Sequence, residues 1–167
     1  MLALLFAIRD HIRVCPSDLA NVSIESLRYP VCDAVTTVKE KMATRPDLDV
    51  PDVLSGNYDD MINMYLGSGS TTPRDDPRLS PGRFKKREDL PEHIYLIGAE
   101  HDLLCSEAKD LAERLVKPGV TKQETKYGWQ AGGVRWDLVK GQTHGFDQFG
   151  NGKVRMELFS SLTMESC

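Results

Sequence analysis

The chain has 167 residues, 40% hydrophobic and 28% charged, which suits one soluble globular domain with a sizeable core. Its net charge of −4 argues against a general nucleic-acid binder, which would carry a basic stripe; the one basic run, Lys85-Lys86-Arg87, is neutralised at once by Glu88 and Asp89. Four cysteines, Cys15, Cys32, Cys105 and Cys167, form no Cys-x-x-Cys and no grouping with histidine, so structural zinc and a disulfide framework are set aside in favour of reduced thiols in a cytoplasmic protein.

The chain opens on an apolar run, Met1 to Phe6, read as a helix that ends near Arg13 ahead of Pro16. It does not read as a signal peptide, because no basic segment precedes the run and Arg9 and Asp10 interrupt it. No stretch approaches the roughly 20 apolar residues of a membrane span. Ser26 to Cys32 predicts a strand, with Pro30 at its end or on an edge because proline donates no ladder bond. Residues 33–75 read as a cap-like excursion. Within it, Thr37 to Met42 predicts one or two helical turns. Tyr58 to Leu66 predicts a helix with Met61, Ile62, Tyr65 and Leu66 on one face, lining either a ligand or the core. Gly67 to Pro73 is loop, since no Gly-Lys-Ser/Thr follows to make it a phosphate cradle.

After the proline-set turn Asp76 to Pro81, Ile94 to Ile97 forms a short apolar run between Pro91 and Gly98, the pattern of a strand buried on both faces. Cys105 to Val116 predicts an amphipathic helix with Ala108, Leu111, Ala112 and Leu115 inward, stopped by Lys117-Pro118-Gly119. Polar, glycine-containing loop follows as far as Gly133, then a strand from Val134 to Val139 and a final helix from Val154 to Leu162. This alternation predicts an α/β fold with a mostly parallel sheet of about three strands flanked by helices.

Two polar turns leave those strands: Glu100-His101-Asp102 after the first and Gly141 to Phe146, containing His144, after the second. In α/β proteins the carboxyl ends of parallel strands carry the sites. A carboxylate can fix a histidine tautomer and stabilise the imidazolium while the other ring nitrogen takes a proton. Asp102 and His144 lie 42 residues apart, the length of one helix, one loop and one strand. The competing reading makes Asp102 a helix cap and His144 a loop residue. Periodicity alone slightly favours this second reading. His11, His93 and His101 have no partner suggested, and His101 reads as a solvated or supporting neighbour of the acid.

Asp76-Pro-Arg-Leu-Ser-Pro81, Leu90-Pro91, Ile97-Gly-Ala-Glu-His-Asp102-Leu-Leu, Ala112-Glu-Arg-Leu115 and His144-Gly-Phe146, in that order, resemble the C-terminal half of α/β-hydrolases of the hormone-sensitive-lipase-like esterase family. Tyr29-Pro30-Val31-Cys32-Asp33 fits the preceding strand of that fold. The resemblance implies a partial α/β-hydrolase domain over residues 1–167, with Asp102 as the triad acid, His144 as the general base, a small ester as the relatives' substrate, and no metal or organic cofactor. Members often carry an Asp four residues beyond the acid; Ser106 stands there, followed by Glu107, which predicts an altered hydrogen bond around the acid.

The larger departure is the nucleophile. The family runs Ser, Asp, His in chain order with the serine in Gly-x-Ser-x-Gly, and no such pentapeptide occurs in these 167 residues. Met1-Leu-Ala-Leu4 is similar to the helix that follows the elbow in the family, so the sequence reads as an esterase beginning just past its own nucleophile, through truncation or an incomplete gene model. The expectation is a chain inactive alone, with a sheet edge open to a second copy or a complementing chain. The alternative is a non-catalytic half-domain or pseudoenzyme that binds protein.

Overall fold

A computed structural model describes residues 24–84, 87 and 90–149. The helices expected at 1–13 and 154–162, and the thiols of Cys15 and Cys167, lie outside these residues. The described elements are β1 (Ile24–Arg28), α1 (Val38–Met42), α2 (Tyr58–Leu66), β2 (His93–Ala99), α3 (Cys105–Leu115), β3 (Gln123–Glu124), β4 (Gly128–Ala131), β5 (Val134–Val139) and α4 (Phe146–Phe149). Among these residues no helix is long and apolar enough to cross a membrane.

The strands form one five-stranded sheet in the order β1-β2-β5-β4-β3. The first three are parallel, and β5, β4 and β3 pair antiparallel. The sheet is therefore mixed, with two more strands than the three expected. The added pair lies in the segment read as loop up to Gly133. Gly132 and Gly133 take φ of 55° and 83°, and positive φ at both central residues is what a tight two-residue hairpin demands. That Gly-Gly pair was the visible signal for β4 turning into β5.

β2 is an interior strand, paired on both sides and buried on both faces, as its unbroken apolar run requires. Ile94 and Leu96 face α3 with Trp136 of β5, whereas Tyr95, Ile97 and Ala99 face the opposite side with Val139 and Phe146. The large aliphatic side chains among them, Ile94, Leu96, Ile97 and Val139, each contribute about 1.5–3 kcal/mol on full burial. Gly98 does not end the strand, as the sequence suggested, but continues it beneath Trp136. A Cβ there would lie 2.4 Å from the indole ring, so only glycine admits this packing. α3 buries Ala108, Leu111, Ala112 and Leu115, the four positions its period predicts.

β1 stops four residues before Cys32. Tyr29 has φ of +37°, outside the strand region, and Pro30 follows it. The chain then enters the excursion. Thr37 and Glu40 cap α1 reciprocally, the Glu40 N–H reaching the Thr37 hydroxyl at 3.3 Å and the Thr37 N–H reaching Glu40 at 2.9 Å. In α2 the buried face centres on Tyr58 and Ile62, with Met61 and Leu66 at its margins. Tyr65, expected on that face, is 43% exposed. A stripe through Tyr58, Ile62 and Leu66 leaves position 65 at the edge of the helix's inner surface.

Candidate active site

Asp102 and His144 leave the carboxyl ends of the adjacent parallel strands β2 and β5. Three hydrogen bonds, two of them between main-chain groups, hold the two loops together. Glu100 donates its N–H to Val139 at 3.1 Å, and His101 donates its N–H to Gln142 at 2.9 Å. The Glu100 carboxylate accepts the Gly141 N–H at 2.7 Å. The loop residues are therefore registered to one another much as the strands beneath them are.

This registration brings the two side chains into contact. His144 Nδ1 lies 3.0 Å from Asp102 Oδ2, and the pair is buried, with His144 8% and Asp102 1% exposed. The other carboxylate oxygen, Oδ1, accepts the Leu104 N–H at 2.9 Å as α3 begins. The two readings of Asp102, partner of a histidine and organiser of a helix start, are both realised, one by each oxygen. Burial raises its pKa, against the opposing effects of the His144 hydrogen bond and the Leu104 N–H.

Supporting groups come from residues to which sequence reasoning gave no role. Asp52, in the excursion, accepts the Leu103 N–H at 2.8 Å. Arg45 donates to the His101 carbonyl at 2.9 Å. The Tyr29 ring stands edge-on to His144 at 4.7 Å between centroids. No short-range pattern marks these contacts; each joins elements far apart in sequence. His101 contributes mainly through its backbone, and its ring lies 3.9 Å from Glu100. His93 begins β2, and His11 lies outside the described residues.

Glu107, after the departure at Ser106, turns away from Asp102. It accepts the N–H groups of Cys32 at 2.7 Å and Asp33 at 3.2 Å, and it pairs with Lys41. A cavity of about 550 Å³ opens beside this pair, lined in part by Asp33, Arg83, Glu107 and Arg114. Neither Asp102 nor His144 lines it. Cys32 and Cys105 are free thiols, both pushed up to about 12 by burial, which leaves them poor nucleophiles. Among the described residues no group of three or more His, Cys, Asp or Glu side chains is placed to hold a metal.

The family profile described as alpha/beta hydrolase fold matches residues 2–147. The chain belongs to the α/β-hydrolases, of the hormone-sensitive-lipase-like type. Among solved structures it is similar to a bacterial heroin esterase, at 25% identity and a TM-score of 0.60, covering 95% of this chain and 44% of that one. It is also similar in fold to an ester hydrolase from the metagenome of Lake Arreo, at 21% identity and a TM-score of 0.59, covering 98% of this chain and 45% of the other. A third likeness is to the hyperthermophilic esterase of the archaeon Pyrobaculum calidifontis, at 21% identity and a TM-score of 0.57, covering 96% and 46% respectively. The chain thus spans less than half the length of these α/β-hydrolase structures. No curated protein matches it.

Proposed function

We propose that this α/β-hydrolase chain carries two of the three catalytic groups of a serine carboxylic-ester hydrolase, Asp102 as orienting acid and His144 as general base. The observation that carries the reading is the buried 3.0 Å contact between Asp102 Oδ2 and His144 Nδ1 at the ends of two neighbouring parallel strands. With Nδ1–H donated to the carboxylate, Nε2 takes the proton of an attacking hydroxyl and returns it to the leaving alcohol. Asp102 stabilises the imidazolium between those steps. The substrate class is a small acyl ester or a related lactone or amide, and the chemistry needs no metal or organic cofactor.

The hydroxyl must come from elsewhere, because the 167 residues hold no Gly-x-Ser-x-Gly. Alone, the chain is inactive: loss of a triad member lowers turnover by about 10⁴- to 10⁶-fold. Completion requires a polypeptide segment that brings the elbow and oxyanion donors to the open side of β1, whose one hydrogen-bonded neighbour among the described residues is β2. A second copy docking there without catalysis is the rival reading, favoured by the same edge.

A fluorophosphonate serine probe and p-nitrophenyl acetate test this directly. The purified chain is expected neither to label nor to hydrolyse the ester. Mixed with a polypeptide that supplies the preceding half of such a hydrolase, it is expected to gain an esterase activity that His144→Ala abolishes. Labelling of the chain by itself, or activity that survives His144→Ala in the mixture, would overturn the reading. A dimer by size exclusion that neither binds nor activates the added half would establish the rival.

A further inference from the structure

Tyr29 is the one non-glycine residue with positive φ among those described, at +37°. An aromatic side chain rarely adopts this conformation, and such outliers persist where the surroundings hold them. Here the hold is extensive. The Tyr29 N–H donates to the Ile97 carbonyl at 2.7 Å, which anchors the turned backbone to β2. Its side chain is buried, at 1% exposure, and projects towards the loop that carries His144.

Two contacts meet there. The ring lies 4.7 Å from the imidazole at an interplanar angle of 61°, an edge-on packing that favours one plane of the histidine. The phenol hydroxyl donates to Asp147, three residues beyond His144, and Arg28 pairs with the other oxygen of the same carboxylate. Gln148 adds a longer bond to the Tyr29 hydroxyl, at 3.4 Å. Adjacent residues 28 and 29 thus grip both oxygens of Asp147, and with them the first turn of α4. Asp102 fixes Nδ1 from one direction while Tyr29 fixes the ring plane and the loop from another.

We propose that Tyr29 is the positioning residue for His144, its ring setting the imidazole plane against Asp102 and its hydroxyl pinning the histidine loop through Asp147. The catalytic consequence rests on the role proposed for His144; the positioning itself does not, and it is measurable in the chain alone. The strained backbone serves this geometry: a Tyr29 that continued β1 as regular strand would not have the turned main chain from which its ring meets the imidazole.

The test reads the hydrogen-bonded Nδ1 proton of His144 by nuclear magnetic resonance on the full 167-residue chain. Wild type is expected to show this proton downfield and slowly exchanging. Tyr29→Leu is expected to lose the signal. Tyr29→Phe keeps the ring and is expected to retain the signal, with exchange about tenfold faster as the loop opens more often. Asp147→Asn is expected to exchange at least as fast as Tyr29→Phe, because it also weakens the Arg28 pair, and the double variant to exchange no faster than Asp147→Asn alone, because the Tyr29 hydroxyl acts through that carboxylate. A Tyr29→Leu chain with the wild-type signal would overturn the proposal. So would Tyr29→Phe and Asp147→Asn both exchanging at the wild-type rate, which also decides the matter should the leucine variant not fold. Failure of the complemented esterase with these spectra intact would count against the function, not the positioning.

Discussion

The carboxylate of Asp52 accepts the main-chain N–H of Leu103 at 2.8 Å, so the excursion reaches back to hold the residue next to Asp102. Its second oxygen accepts the Leu54 N–H at 2.7 Å. Asp52→Ala leaves two main-chain donors without this acceptor and is expected to cost about 1–3 kcal/mol in urea unfolding. Asp52→Asn keeps one acceptor oxygen and should recover part of the loss. Equal stability of the alanine variant and wild type would show that the excursion does not brace the acid loop.

Gly98→Ala is expected to destabilise by about 1–3 kcal/mol, because its Cβ would press on Trp136 and the packed ring has no free space to take. Thermal unfolding measures this. Pairing it with Trp136→Leu should restore stability relative to the sum of the single changes, since the smaller side chain removes the clash.

Lys41 and Glu107 form a buried ion pair that ties α1 to α3. Lys41→Met strands the Glu107 charge and is expected to cost about 3–5 kcal/mol. Adding Glu107→Gln should return much of it: the amide oxygen still accepts from Cys32 or Asp33, and no unpaired charge remains. Chemical denaturation of the two singles and the double reads the non-additivity.

Asp33 gives the pH dependence a sign. Burial pushes its carboxyl up, but the Val35 and Thr36 N–H groups, the Thr36 hydroxyl and the Arg83 guanidinium outweigh this and hold it below its ordinary value. A depressed folded pKa means the folded chain binds fewer protons, so the contribution is complete above the unfolded value, about 3.9, and is lost as pH falls through the folded one. Asp33→Ala is therefore expected to cost about 1 kcal/mol at neutral pH, with the gap to wild type narrowing in acid below about pH 4. A gap that widens in acid would contradict the sign.

Much of the architecture was legible because it rests on periodicity. The apolar run of β2, the four inward positions of α3 and the span of β5 depend only on local sequence and burial, and each stands where the pattern put it. The order of motifs also carried the family resemblance. The hairpin before β5 was read as loop because its strands are short and polar; Gln123 and Glu124 are exposed and owe their strand form to pairing, although Gly132-Gly133 marked the turn.

Sequence by itself determined which residue types follow each strand, and so that Asp102 and His144 belong to loops at one end of the sheet if the strands are parallel; the parallel β2–β5 pairing meets that condition. Only the tertiary structure decided that they touch, because contact depends on the β2–β5 register and on the ties between Glu100, His101, Gly141 and Gln142. It alone decided, too, that Tyr29 turns out of β1 to meet the imidazole. The contacts of Tyr29 with His144 and Asp147 join residues more than a hundred positions apart, and no local propensity encodes them.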